Sequence, residues 1–217
     1  MTGTRPAVRR SGSLSPAIEV LKAGSALIRV YQRRFGPLDF NGGDTVARFR
    51  PIRNTSGAVV PTAYGAHDQE TAIAEAVLRG VSALGHGSPR RRLFRLEVDG
   101  LDMARLRTTR PLRLVRLHGL GLTRLNLLRE HVIDSPESEY DYTAAWAQTL
   151  YGHRSRAHGL VWTSRQNDTS RAFILWGGTR VRPGWLQVEG DPMALDREPG
   201  LDLIRQVCAD AGVDFEG

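Results

Sequence analysis

With 217 residues and 41% hydrophobic content, the chain is long enough for one well-packed domain, and no apolar run approaches membrane-spanning length. Its formal charge of +7 rests almost wholly on arginine, Lys22 being the only lysine, which favours anionic partners and supplies planar forks for phosphates or carboxylates. The single cysteine, Cys208, excludes an intrachain disulfide and a cysteine-based zinc site, and the N-terminus lacks the apolar stretch of a secretory signal, so a cytoplasmic location is expected.

Residues 1–24 read as a loose tail rich in Arg, Ser, Gly and Pro, with a short helix over 16–23. Residues 25–217 read as a single domain. Its first strand is expected over 26–31, with Arg29 inside an apolar run where a buried guanidinium needs a partner. A loop over 35–44 leads to a second short extended piece at 47–51. Asn54-Thr55-Ser56-Gly57 marks a turn before a strand over 58–64, interrupted at Pro61.

The stretch 61–80 carries the strongest signal. It reads as a strand passing through Gly65 and Asp68 into a helix, with Asp68 as N-cap and Glu70 adding negative charge to the first turn. Ala72, Ile73, Ala76 and Val77 make an apolar stripe at helical spacing. Glu75 lies beside that stripe, where a carboxylate is either a surface group or a site group aimed into a cleft.

Residues 80–89 read as an open loop and Arg90-Arg91-Arg92 as a solvated basic rim. A half-buried strand is expected over 93–98, a short helix over 103–106 and another strand over 112–117. The stretch 119–130 fits loop or helix equally. Tyr142, Trp146 and Leu150 recur at four-residue spacing and predict a helix after Ser135-Pro136. A polar connector, 153–158, precedes strands over 159–164 and 172–176, and a last helix covers 201–211, with Cys208 among its core positions. Short strands with few helices indicate an α+β fold, a compact domain of short mixed or antiparallel strands. The chain contains no P-loop and no dinucleotide-binding glycine fingerprint.

An Arg in the first apolar strand, a Tyr just before a helix with an interior Glu, and a Ser ending a later strand occur in that order. The text is Leu27-Ile28-Arg29-Val30, Ala47-Arg48-Phe49-Arg50-Pro51, Thr62-Ala63-Tyr64 with Glu70 to Glu75, Asp141-Tyr142-Thr143 with Trp146-Ala147, and Gly159-Leu160-Val161-Trp162-Thr163-Ser164-Arg165. This pattern resembles the RES domain family of toxins over roughly residues 25–180, which makes 25–217 a single RES-like catalytic domain. It departs from the family where Ala47 precedes Arg48, where Arg50 follows Phe49, and where the later strand ends in Trp162-Thr163-Ser164.

The resemblance implies a fold similar to the ADP-ribosyltransferase toxins and cleavage of the nicotinamide–ribose bond of NAD. NAD is then substrate, with inorganic phosphate (phosphorylase) or water (glycohydrolase) as acceptor; no cofactor or metal is required. It also implies silencing by a cognate Xre-like antitoxin, with nucleic acid engaged only through that complex. Glu75 would stabilise positive charge on the ribose, Arg29 and Arg48 would hold phosphates, Tyr64 would stack on nicotinamide, and Ser164 would donate to a phosphate or ribose hydroxyl. Each has a structural alternative: an internal salt bridge for Arg29, even with Glu75 itself; a solvated loop for Arg48; a core plug for Tyr64; a turn for Ser164. His67 is an ordinary loop histidine or a substrate contact, and His153 and His158 do not form a metal pair. Protein ADP-ribosylation and a non-enzymatic basic module binding nucleic acid or a partner protein are the competing functions; Arg5, Arg9, Arg10 and Arg90 to Arg92 would be the nucleic-acid contacts.

Overall fold

The computed structural model describes residues 5–8, 11–79 and 91–217. The expected loop 80–89, together with Arg9, Arg10 and Arg90, lies outside these. Among the described residues the chain forms β1 (Ile18–Leu21), β2 (Ala26–Gln32), β3 (Thr62–Ala66), α1 (Gln69–Val77), β4 (Arg92–Phe94), β5 (Leu101–Thr108), β6 (Leu112–Arg116), α2 (Leu120–Leu125), α3 (Arg129–Val132), α4 (Tyr140–Tyr151), β7 (Gly159–Thr163), β8 (Arg171–Trp176), β9 (Leu186–Val188), β10 (Met193–Ala194), α5 (Gly200–Asp210) and β11 (Asp214–Glu216).

The main sheet runs β1-β6-β7-β8-β3-β2-β5-β10, with β9 also on β5. Its pairs are antiparallel except β6–β7, and β4 and β11 form a separate parallel pair. This is the expected α+β architecture. β2 and β5 pair along the whole of β2, whereas β2 and β3 meet only at Ile28 and Ala66. The sheet is therefore parted at its middle, between β2 and the start of β3.

Side chains alternate across this sheet, as the two-residue period requires. On β8, Ala172, Ile174 and Trp176 join one core cluster while Phe173 and Leu175 join another. On β2, Ile28 faces the cluster under α1 and α5, and Leu27 and Tyr31 face away. Ala66 pairs with both Ile28 and Ala172, so two clusters share one face of the sheet, side by side. One is covered by α1 and α5, the other by α2, α3 and α4. Cys208 belongs to the first, and burial pushes its thiol up to about 11, consistent with an inert core residue.

Five local expectations change. The strand expected over 58–64 begins only at Thr62, residues 58–61 forming a loop tied by an isolated bridge between Arg53 and Val59. Residues 18–21 form edge strand β1 on β6, not a helix, because the ladder along Val115 to Leu112 outweighs a marginal helical pattern. Residues 101–108 form strand β5, not a helix at 103–106; Met103, Leu106 and Thr108 are buried while Arg105 and Arg107 point outward. Residues 47–51 are a turn rather than an extended piece. Phe49 has φ of 66° and is fully buried, its ring centroid 5.1 Å from that of Trp162. The strand expected over 93–98 stops at Phe94, where the Glu97 carboxylate accepts the Phe94 N–H and folds the chain into a turn, leaving Leu96 79% exposed.

Candidate active site

Helix α1 starts as its sequence dictates. Asp68 is the extended N-cap, and its Oδ1 accepts the Thr71 N–H at 2.8 Å. Thr71, Ala72, Ile73, Ala74 and Val77 are buried against the sheet and α5. Ala76, expected in the packed stripe, is exposed instead and lines a cleft beside Glu75. The helix is rotated so that Ala74 takes the inner place.

Asp68, Thr71 and Glu75 stand at helical i, i+3, i+7 spacing, and each bonds to the β7–β8 connection. Asp68 Oδ2 accepts from the Ser170 hydroxyl, Asn167 Nδ2 donates to Thr71 Oγ1 at 3.1 Å, and Ser164 Oγ donates to Glu75 Oε1 at 2.7 Å. The Arg165 N–H adds a second bond to Glu75 Oε1 at 3.0 Å. Ser164 is fully buried, and its oxygen also accepts the N–H groups of Gln166 and Asn167 at 3.0 and 3.1 Å. Arg129 braces the same turn from outside, donating to the Ser164 carbonyl at 2.9 Å while pairing with Asp134 and Asp168. The Glu75 carboxylate is thus fixed through Oε1, and among the described residues Oε2 carries no hydrogen bond.

The cleft beside it, about 270 Å³, opens where the two core clusters meet; Val30 and Ala72 form one wall, Tyr64, Trp162 and Ala172 the other. Arg50 and Arg79 also line it. Arg50 is buried and donates to the Gly43 carbonyl at 2.5 Å and to Asn41 Oδ1 at 3.3 Å. Arg79 lies over the Tyr64 ring, 5.7 Å from its centroid. The Tyr64 hydroxyl donates to the Arg48 carbonyl, and burial pushes this phenol up to about 12, so it remains a donor at neutral pH.

Arg48 is almost wholly buried. Its Nη2 donates to the Ser135 carbonyl at 3.4 Å, the guanidinium lies 5.5 Å from the Tyr140 ring centroid, and Nε is buried with no hydrogen-bond partner. Burial pushes its pKa down, opposed by its neighbours Tyr140 and Glu75, while Arg79 and Arg165 push it further down. One carboxylate among several guanidiniums leaves the cleft positive, suited to a ligand bearing more than one negative charge.

Glu75, Tyr64 and Ser164 come together here, with Arg48 behind them. Arg29 does not join them. It shares the opposite face of β2 with Leu27 and Tyr31, donates to the Pro37 carbonyl at 2.8 Å, and lies 5.6 Å from the Tyr31 ring centroid. Burial lowers its pKa, and the nearby Asp39 charge offsets part of that. His67 is elsewhere too, in a 460 Å³ cavity between the start of α1 and α5, where burial keeps its ring below the ordinary value. His153 is bonded to the Leu14 carbonyl and the Ser155 N–H, and His158 accepts the Arg113 N–H, so both serve the main chain. Sequence reasoning missed Arg50, Arg79, Asn167 and Arg129. Only the polar i, i+3, i+7 series on α1 hinted that the helix is tied to something along that face.

The RES domain family model matches residues 26–189. The chain belongs to the RES domain family. Among solved structures it resembles the M. tuberculosis MbcT–MbcA toxin–antitoxin complex, with a TM-score of 0.60 and 12% identity over 88% of this chain and 92% of that one. Compared by sequence with curated proteins, it has no significant match. Of Arg29, Glu75 and Ser164, which the sequence pattern brought forward together, Glu75 and Ser164 are in contact and Arg29 is not part of their cluster. No described helix is long and apolar enough to cross a membrane.

Proposed function

We propose that this RES domain consumes NAD by breaking the bond between nicotinamide and ribose, with phosphate or water accepting the ADP-ribosyl group, and that a cognate antitoxin holds it inactive. The observation that carries the reading is Glu75: a carboxylate clamped through one oxygen, its other oxygen without a hydrogen bond among the described residues, in a cleft that also holds two arginines, Arg50 and Arg79, and two aromatic rings, Tyr64 and Trp162, among small apolar residues.

In the reaction the C1′–N bond breaks and its electron pair leaves with nicotinamide, so positive charge builds on the ribose. The fixed Glu75 carboxylate stabilises that charge without reorganising, which is where preorganised electrostatics contribute most. Tyr64 and Trp162 offer flat surfaces to the nicotinamide ring. Arg50 and Arg79 face the pyrophosphate, and Arg48 adds positive potential from behind. A phosphate oxygen then forms the new bond to C1′, or water does so and releases a proton. Ser164 acts as a positioning residue for Glu75 rather than as a ligand to phosphate or ribose. Arg29 acts on this reading by holding the 37–41 segment at the parted middle of the sheet. The cleft accommodates the reacting half of the dinucleotide, being a little below the roughly 300–1,000 Å³ of a full ligand site.

For the partner, family membership and the toxin–antitoxin neighbour support an antitoxin. Val46, 50% exposed and adjacent to cleft-lining Ala47, provides an apolar contact beside the mouth. The test is incubation with NAD in matched buffers with and without phosphate, followed by mass spectrometry. ADP-ribose-1-phosphate formed only with phosphate identifies a phosphorylase, and free ADP-ribose in both buffers a glycohydrolase. Intact NAD in both overturns the reading.

A further inference from the structure

The arginines that look scattered along the sequence gather at a second place. A groove of about 740 Å³ opens beside the C-terminus of α4 and the Gly177–Gly178 turn, and it continues into a depression of about 250 Å³ with which it shares Arg156, Thr179 and Arg180. Arg154 joins these in the groove, Arg113 and Arg182 in the depression, and no carboxylate lines either. Arg53, at the rim, is already paired with Asp44 at 2.6 Å; the other five arginines form no ion pair among the described residues.

Arg180 is the centre of the arrangement. It lies 4.9 Å from the Tyr151 ring centroid and donates through Nη2 to the Tyr151 carbonyl at 2.7 Å, while Nε and Nη1 are buried without hydrogen-bond partners. Unpaired buried donors of this kind are costly and rare in native proteins unless something satisfies them. Burial and the charge of Arg156 both push its pKa down, a penalty that an anion would relieve. Arg156 itself is held at φ of 48°, in the left-handed region that residues with side chains seldom occupy. The walls supply flat and apolar surface: Val59, Val60, Pro61 and Tyr151 in the groove, and Trp185 in the depression.

We propose that this groove is a binding site for a nucleoside phosphate, separate from the Glu75 cleft. The guanidinium forks take the phosphate and the aromatic and apolar walls take the base. Its volume falls within the range of small-molecule sites. Free nucleotides and single-stranded nucleic acid share this chemistry, and joined depressions allow either. The two sites stand at opposite ends of β8, since Ala172 lines the cleft and Gly177 the groove, about 17 Å apart by strand rise.

The experiment titrates fluorescent AMP and a labelled ten-nucleotide single strand against the full chain at two salt concentrations. The variants are Arg180→Gln, the exposed pair Arg154→Gln/Arg156→Gln, and Ala76→Trp, which fills the Glu75 cleft. The expected result is binding weakened about tenfold or more by either arginine variant and by added salt, and unchanged by Ala76→Trp. AMP binding assigns a mononucleotide site; strand binding alone, with the same variant dependence, assigns a nucleic-acid site. The double variant keeps the test valid if Arg180→Gln does not fold. No binding of either probe, loss only in Ala76→Trp, or equal displacement by a poly-glutamate peptide would overturn the proposal.

Discussion

The two ends of β8 teach different lessons about arginine. At the Ala172 end, Arg48, Arg50 and Arg79 surround a carboxylate that is hydrogen-bonded to a serine hydroxyl and a main-chain N–H. At the Gly177 end, arginines surround a groove lined by no carboxylate at all. The first arrangement can stabilise a developing cation while holding an anion nearby. The second can only attract anions. Charge of one sign makes a binding surface; opposed charges held rigidly make a site that could do chemistry.

On that contrast, Glu75→Gln should have the largest effect of any single change. It keeps the shape and both hydrogen bonds to Oε1 within reach, but removes the negative charge. We expect NAD cleavage to fall about a hundred- to a thousandfold, with melting temperature and groove binding unchanged, as read by a discontinuous product assay and thermal denaturation. Equal activity in this variant would erase the distinction between the two ends.

Ser164→Ala comes next. It removes the hydroxyl on Glu75 and leaves the Gln166 and Asn167 N–H groups without their acceptor. Stability should drop by about 1–3 kcal/mol, with a rate loss smaller than that of Glu75→Gln. A cysteine or threonine that restores some rate without restoring stability would separate the positioning role from the structural one.

Tyr64→Phe deletes the bond to the Arg48 carbonyl while keeping the ring under Arg79. Denaturant titration should show a loss of about 0.5–1.5 kcal/mol, and KM for NAD should change little if the ring face is what the substrate uses.

The smallest effect concerns acid stability at the start of α1. Burial alone would raise the Asp68 carboxyl, but bonds from the Ser170 hydroxyl and the Thr71 N–H outweigh it, so the folded group titrates below its ordinary value. Its contribution is therefore complete above the unfolded carboxyl's value, about pH 4, and is lost as pH falls through the folded one. Asp68→Asn should keep the helix cap yet flatten the fall of melting temperature below about pH 4, whereas Asp68→Ala should cost about 1 kcal/mol at neutral pH. An acid limb identical to that of the unaltered protein in Asp68→Asn would show that the carboxylate adds nothing there.

Legibility differed with the kind of signal. Helix α1, its cap, α4, and strands β2, β7 and β8 were readable because each has one dominant period or a clear boundary residue. β1 and β5 were misread because a strand is completed by a partner far along the chain, and a short apolar segment alone fits either state. The turn at 47–51 was misread because Phe49 adopts positive φ, held by burial against Trp162 and by its N–H bond to the Thr143 hydroxyl at 3.1 Å. Gly65 reads in the sequence as part of the passage from strand to helix; it lies inside β3, and its constraint is close approach. A Cβ there would stand 2.6 Å from the Phe173 ring and 2.7 Å from the Ile28 carbonyl.

The sequence by itself determined the α+β class, the helix that presents Glu75, the arginine-borne charge, and the ordered Arg, Tyr, Glu and Ser on which the resemblance to RES domains rests. These are local or additive properties, carried by spacing and composition. Only the tertiary structure decided that Ser164 clasps Glu75, that Arg29 turns to the other face of its strand, that Ala76 lines the cleft instead of the core, and that distant arginines form a second, carboxylate-free groove. Each depends on which strand pairs with which and on the phase of the alternation across the sheet, and a shift of one residue in either would exchange the buried and open faces.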